Sequence, residues 1–236
     1  MNSFSFSLIS PCLLLITTLL GSIPVHAKDY LIELVIFETR ASSKLSAGGL
    51  YYPNIGESIL LNTEAAATAG FLSIEEGLSL SENASAMVSS GRYRVFQHMA
   101  WRQPGLDDES AIAVLINAGD PATVYLPDNL ENYGEFIPVS LIPTEEWPRE
   151  TPSFTINGTI KVRLGRFLHM ETLLVFTDAE TGQGFRLAQS RKMRSRELHY
   201  IDNPRFGILT RILPLDDTLL TESDETDSAD ADVSPQ

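Results

Sequence analysis

An α+β fold, with a mainly antiparallel sheet, at least one packed helix and a loop-rich insertion, is what this sequence predicts. Three observations carry that expectation. Residues 30–39, YLIELVIFET, are β-branched and aromatic and apolar on both faces apart from Glu33, the pattern of a central strand. Residues 79–90, SLSENASAMVSS, have helical character and run directly into the strand-like YRVFQHMAW, 93–101. The last third alternates apolar and polar residues in segments separated by short turns, which implies antiparallel pairing.

Taken in order, residues 41–70 carry Ser, Gly, Ala and Pro without sustained periodicity and read as loop, with one weak helical turn near Thr63–Ala69. The helix at 79–90 has Ser79 or Ser81 to cap its start and Gly91 to end it. In the strand that follows, simple alternation puts Tyr93, Val95, Met99 and Trp101 on one face and Arg94, Phe96, His98 and Arg102 on the other. Residues 103–153 are rich in Pro, Gly and Asp and read as a surface excursion, with short strand candidates at 111–116 and 123–126. GTIKVRLG (158–165) is a half-buried strand with a basic outer face. FLHMETLLVF (167–176), FRLAQSRKM (185–193), ELHYI (197–201) and GILTRILP (207–214) complete the sheet.

The 236 residues suit one globular domain, here placed at 28–215. Residues 1–27 read as a secretory signal peptide. An apolar run at 8–20 is too short to span a bilayer and is followed by Val25-His26-Ala27, a small-x-small cleavage pattern, although MNSFSFS lacks Lys or Arg. After cleavage no stable membrane insertion is expected. Cys12, the only cysteine, sits near the start of that run, which argues against lipidation and leaves the mature chain without thiols. The net charge is -14, from 17 basic and 31 acidic residues. Residues 216–236 hold eight of the acids and no Lys or Arg, and read as a disordered acidic tail. Residues 161–211 hold ten of the basic residues against five acids, most densely in RKMRSRELHYIDNPRFG, 191–207.

Candidate chemistry is sparse. HExxH, CxxC, GxSxG and Walker motifs are absent from the sequence, so no enzyme class and no cofactor is indicated. His98, His169 and His199 are numerous enough for an open zinc site but have no ligand spacing, and structural roles suit them better. Glu33, a lone acid in an apolar strand, needs a partner, and an arginine of the C-terminal third is the expected one. The basic stretch has three readings. It is a solvated face partly neutralised by Glu197 and Asp202, a nucleic-acid surface, or an anion-recognition surface outside the cytoplasm. The signal peptide and acidic total disfavour nucleic acid. Arginine forks suit carboxylates, and rings such as Tyr200, Phe167 and Trp101 offer flat faces to sugars. That combination fits peptidoglycan, although composition alone leaves the solvated face equally open.

Three segments carry a resemblance: ELVIFETR (33–40), YRVFQHMAWRQP (93–104), and the run from GTIKVRLGRFLHM (158–170) to QSRKMRSRELHYIDNPRFGIL (189–209). Together they resemble the CsiV family of Gram-negative periplasmic proteins, described as peptidoglycan-binding. That family's closing pattern is an arginine-rich run, Glu-Leu-His-Tyr, an Asp-x-Pro turn and a Gly. It falls here on Glu197, His199, Tyr200, Asp202, Pro204 and Gly207, with Glu33, His98 and His169 as further structural motif positions. The chain departs from the pattern at Arg196, where a small residue is expected, and at Asn203, where histidine is.

The resemblance implies a periplasmic, non-enzymatic protein that binds peptidoglycan and supports cell-wall biogenesis and cell shape. Its expected partners are a penicillin-binding synthase and that synthase's lipoprotein activator. The expected ligand surface is Arg191, Arg194 and Arg196, extended by Arg102 and Arg166, with Trp101 and Tyr200 packing on sugar or peptide unless they are core. The alternatives are an envelope scaffold or activator acting by protein contacts without direct wall binding and, less favoured, a metal-dependent wall hydrolase.

Overall fold

A computed structural model describes residues 28–40, 50–51, 57–126, 136–137, 149–180 and 183–215. The expected signal peptide, 41–49 and 52–56 of the expected loop at 41–70, the middle of the expected insertion and the acidic segment 216–236 lie outside these residues.

The expectation of an α+β fold is corrected: the protein is mostly β. In chain order its elements are β1 (Asp29–Thr39), β2 (Leu50–Tyr51), β3 (Ser58–Ile59), α1 (Glu64–Thr68), β4 (Leu72–Ile74), α2 (Ser81–Ser89) and β5 (Tyr93–Pro104). There follow β6 (Ala113–Leu126), β7 (Phe136–Ile137), β8 (Arg149–Leu164), β9 (Leu168–Thr177), β10 (Gly184–Met193), β11 (Leu198–Asp202) and β12 (Phe206–Leu215). Two five-stranded sheets, in the orders β11-β12-β1-β5-β4 and β10-β9-β8-β6-β3, face one another, and β2 pairs with β7. The alternation of residues decides the packing. Ile32, Leu34 and Ile36 of β1 share one buried core with Ile156 and Ile160 of β8 and Leu174 of β9. The helix expected at 79–90 forms over Ser81–Ser89, but Ala84 is its one buried residue. It buries too little to be a layer of the fold, and only decorates the outer face of the first sheet beside Val35.

Within the expected loop-rich insertion at 103–153, the described residues are largely strand. β6 and β8 form a long antiparallel pair running from Ala113↔Lys161 to Leu126↔Arg149. Gly119 and Pro121, two of the residues that suggested loop, lie within β6. The register shifts between Ala118 and Pro121, so Pro121 sits at a bulge, where a missing N–H is tolerated. Gly158, in the middle of β8, has φ 144°, and a Cβ there would lie 2.1 Å from Leu173 O of β9. Only glycine fits that position.

A second bulge corrects the face assignment of β5. Ile36 pairs with Gln97 but Phe37 pairs with Val95, so β5 carries one extra residue. Past it the alternation inverts. Tyr93 meets Phe37 and Val95 lies with Val35, on the face that also carries His98, while Met99 and Trp101 belong to the core with Phe96.

Gly158→Ala is expected to lower stability by about 3 kcal/mol or to prevent folding, because strand backbone blocks the new methyl group. Gly165, with nothing within 4 Å of a Cβ, serves as the control, and Gly165→Ala is expected to stay within about 0.5 kcal/mol. Equal urea midpoints for the two variants would contradict this account of β8.

Candidate functional site

Glu33 organises the outer face of the first sheet. Its carboxylate is fully buried and accepts hydrogen bonds from Ser79 Oγ (2.5 Å), Ser79 N–H (3.0 Å), Leu80 N–H (2.7 Å) and His98 Nε2 (2.7 Å). Leu80 is the N-cap residue of α2 and supplies no side-chain cap. A carboxylate reaching across from β1 takes that role and meets the positive end of the helix. The expected arginine partner acts one step removed: Arg211, opposite Glu33 in the register, donates to Ser79 Oγ at 3.2 Å. Burial pushes the Glu33 carboxyl up. The bonds from Ser79, Leu80 and His98 outweigh it and hold the group below the ordinary carboxylate range. His98 is therefore a support of the helix-to-sheet joint.

The Asp-Asn-Pro turn is a second joint. Asn203 Oδ1 accepts from the N–H groups of Arg205 and Phe206, and its Nδ2 donates to Arg186 O of β10 at 3.2 Å. Arg205 is spent internally, on Glu38 (3.1 Å) and Asp178 (3.0 Å), with its guanidinium 5.0 Å from the Phe176 ring centroid. Gly207 lets Phe37 approach, since a Cβ there would lie 3.0 Å from its ring. Tyr200 stacks on Phe37 at 5.8 Å yet remains 45% exposed. Burial, then the charge of Asp202 and a hydrogen bond to it, pushes the Tyr200 phenol up to about 12. The ring stays neutral throughout the physiological range.

The basic stretch is the crossing from one sheet to the other. β10 and β11 are edge strands of different sheets, and side chains bridge them. Arg191 Nη1 donates to Tyr200 O (2.6 Å) and Gln189 Nε2 to Asp202 O (3.3 Å). His199 Nε2 lies 3.2 Å from Arg194 N and 3.3 Å from Arg194 O, so it accepts from one or donates to the other according to its proton. Arg191, Lys192, Arg194, Glu197 and His199 line a depression of about 230 Å³ at the closed end of this splayed hairpin. Three cations face one acid there. Arg194 is highly exposed and its contact with Glu197 is long, 3.4 Å. Beside the depression, Phe167 is 42% exposed, with Lys192 Nζ 3.0 Å from its ring centroid and the Arg166 guanidinium carbon 5.5 Å away.

The seven candidate ligand residues therefore separate. Arg191 and Arg194 line the depression and Arg166 stands beside Phe167 at its rim, whereas the Tyr200 ring lies against Phe37 on the outer face of the first sheet. Arg196 occupies the adjoining turn, with φ 69° and its N–H on Ile212 O at 2.8 Å. That left-handed backbone explains why a small residue suits this position and why arginine is strained there. Arg102 is paired with Asp29 on the other side of β1. Trp101 is corrected to core: it is fully buried, with its Nε1–H on Gln103, and presents no ring to a ligand. Lys192, outside the expected ligand set, lines the depression, and Phe167, expected as a flat ring face, borders it. Arg166 beside an aromatic residue, just after Gly165, was the available signal for an exposed ring.

His98, His169 and His199 do not converge. His169 Nδ1 lies by Phe167 O (3.1 Å), and among the described residues no group of three His, Cys, Asp or Glu side chains is placed to hold a metal ion. A larger depression of about 490 Å³ on the second sheet includes Lys161 and Glu171. Burial raises the Glu171 carboxyl, but bonds from Arg163 and Lys161 more than reverse this, so its charge is already matched.

A family model described as "Peptidoglycan-binding protein, CsiV" matches residues 8–215. No curated protein and no solved structure matches the chain.

Two predictions test these joints. Glu33→Gln is expected to cost about 3 kcal/mol at neutral pH, because buried donors lose their acceptor. A carboxyl with a lowered folded-state pKa contributes its full stability above its unfolded value near 4.5 and loses it as pH falls through the folded value. The stability of the parent chain should therefore drop below pH ~4.5 more steeply than that of Glu33→Gln, as read by denaturant titration. Parallel acid limbs would remove Glu33 as the cause. Arg196→Gly is expected to raise stability by about 0.5–1 kcal/mol by relieving the left-handed strain, and a loss of stability would contradict the turn geometry.

Proposed function

The chain belongs to the CsiV family of peptidoglycan-binding proteins, and on that premise we propose that it binds peptidoglycan in the periplasm, without catalysis, at the Arg191–His199 depression. The observation that supports this site is the excess of three cations over one acid in a concave surface bordered by an exposed aromatic ring. Stem peptides present carboxylates, and arginine and lysine donors meet them with charge-assisted hydrogen bonds. Phe167 offers an apolar face to the sugar or to a peptide methyl group. Arg191 is anchored by Tyr200 O and so brings a fixed part of the charge, while Arg194 is free to close on the ligand. Bound this way, the protein would hold wall polymer for a penicillin-binding synthase and its lipoprotein activator.

The scaffold reading draws on a different observation: Leu198 and Tyr200, both exposed, lie two residues apart on edge strand β11 and form a small apolar strip suited to a protein partner.

Sedimentation with purified sacculi separates the two. Replacing Lys192 and Arg194 together by Ala is expected to reduce the bound fraction about tenfold, leaving Tm within ~2 °C, because both side chains are exposed. Binding of the parent chain should also fade between about 0.05 and 0.3 M salt. Binding that survives both the double substitution and the salt would refute the site.

A further inference from the structure

The basic end of the sandwich has a charged neighbour in the same chain. β12 ends at Leu215, opposite Asp29 at the start of β1. The segment that follows, 216–236, carries eight acids and neither lysine nor arginine. Three residues before that exit, Ile212 O accepts the Arg196 N–H. At roughly 3.3 Å per strand residue, the exit is ~10 Å along β12 from the basic turn. The segment thus leaves at the end that holds Arg194 and Arg196. The opposite end is where Arg205 meets Glu38 and Asp178. A segment of 21 residues can span up to about 70 Å, far more than the separation requires. The family match stops at Leu215, so these acids are a feature of this chain beyond the matched region.

We infer that residues 216–236 dock on the Arg191–His199 depression and its Arg166–Lys192 rim when no ligand is present, as a tethered polyanion that competes with the carboxylates of the wall polymer. This rests on the reading of that depression as the ligand site. The chemistry is the same on both sides of the competition, carboxylate against guanidinium and ammonium. The tether gives the internal acids the advantage of a high local concentration without any new contact. A multivalent sacculus displaces them, whereas an isolated carboxylate does not. The body of the chain, with the eight tail acids set aside, still has 23 acids against 17 basic residues. The segment is repelled by most of the surface and attracted at the end where it emerges.

A nitroxide at Ser234→Cys, in a chain with Cys12→Ser, reads this contact without any ligand. The amide signals of Arg191–His199 are expected to lose more than half their intensity at ~50 mM salt and recover it at ~500 mM, with Asp178–Glu180 at the opposite end unaffected. Deleting 216–236 is expected to raise the sacculus-bound fraction several-fold at the lower salt. Absence of broadening at the depression overturns docking, whether or not sacculi are bound. Broadening together with unchanged sacculus binding after deletion overturns the competition. A chain that shows the broadening but never sediments with sacculi, with or without the segment, keeps the docking and defeats the ligand site instead.

Discussion

The arrangement depends on how two sheets meet where β10 gives way to β11. A hairpin joining two strands ordinarily closes by backbone hydrogen bonds. Here the strands belong to different sheets, and side chains span the gap in antiparallel order: Asn203 to Arg186, Gln189 to Asp202, Arg191 to Tyr200, His199 to Arg194. Each such bond contributes about 1 kcal/mol at most where solvent competes. Their larger consequence is geometric. They occupy carbonyl groups on two edges that would otherwise invite pairing with another chain. They also leave the connecting turn as a concave, cation-rich corner. The same arginine that seals the edge lines the depression, so the fold and the proposed ligand surface share a residue.

The Glu33 joint has the same logic on the outer face of the first sheet. A nine-residue helix has little propensity to persist alone. α2 is held because a buried carboxylate from β1 accepts the N–H groups at its start, with His98 and, through Ser79, Arg211 closing the circuit. Three segments far apart in sequence are fixed by one charge. Burying that charge is tolerable only because every strong donor around it points inward. The motif positions Glu33 and His98 thereby find a structural reason, separate from ligand contact.

Much of the strand content was legible from residues alone. Alternation in GTIKVRLG and GILTRILP, and the apolar run of YLIELVIFET, correspond to β8, β12 and β1. What was not legible was non-local. Pro121 looks like a loop residue until β8 is beside it, when it marks a bulge, and Gly158 shows itself as a point of backbone contact only once β9 is in place. The extra residue in β5 inverts its faces, which moved Met99 and Trp101 away from Tyr93 and Val95. Partners of arginine are equally non-local. Arg205 belongs to the same basic run as Arg194, yet register and sheet packing consign one to internal acids and leave the other outside. A count of charges in the sequence cannot make that distinction.

The central claim is that wall polymer is recognised at the corner between the two sheets. A titration of the isotope-labelled chain with a soluble disaccharide-peptide fragment of peptidoglycan tests it most directly. The account predicts shift changes at Phe167, Lys192, Arg194, Glu197 and His199, with little change around Lys161 and Glu171. Changes confined to the larger depression on the second sheet, or to the Leu198–Tyr200 strip, would contradict it.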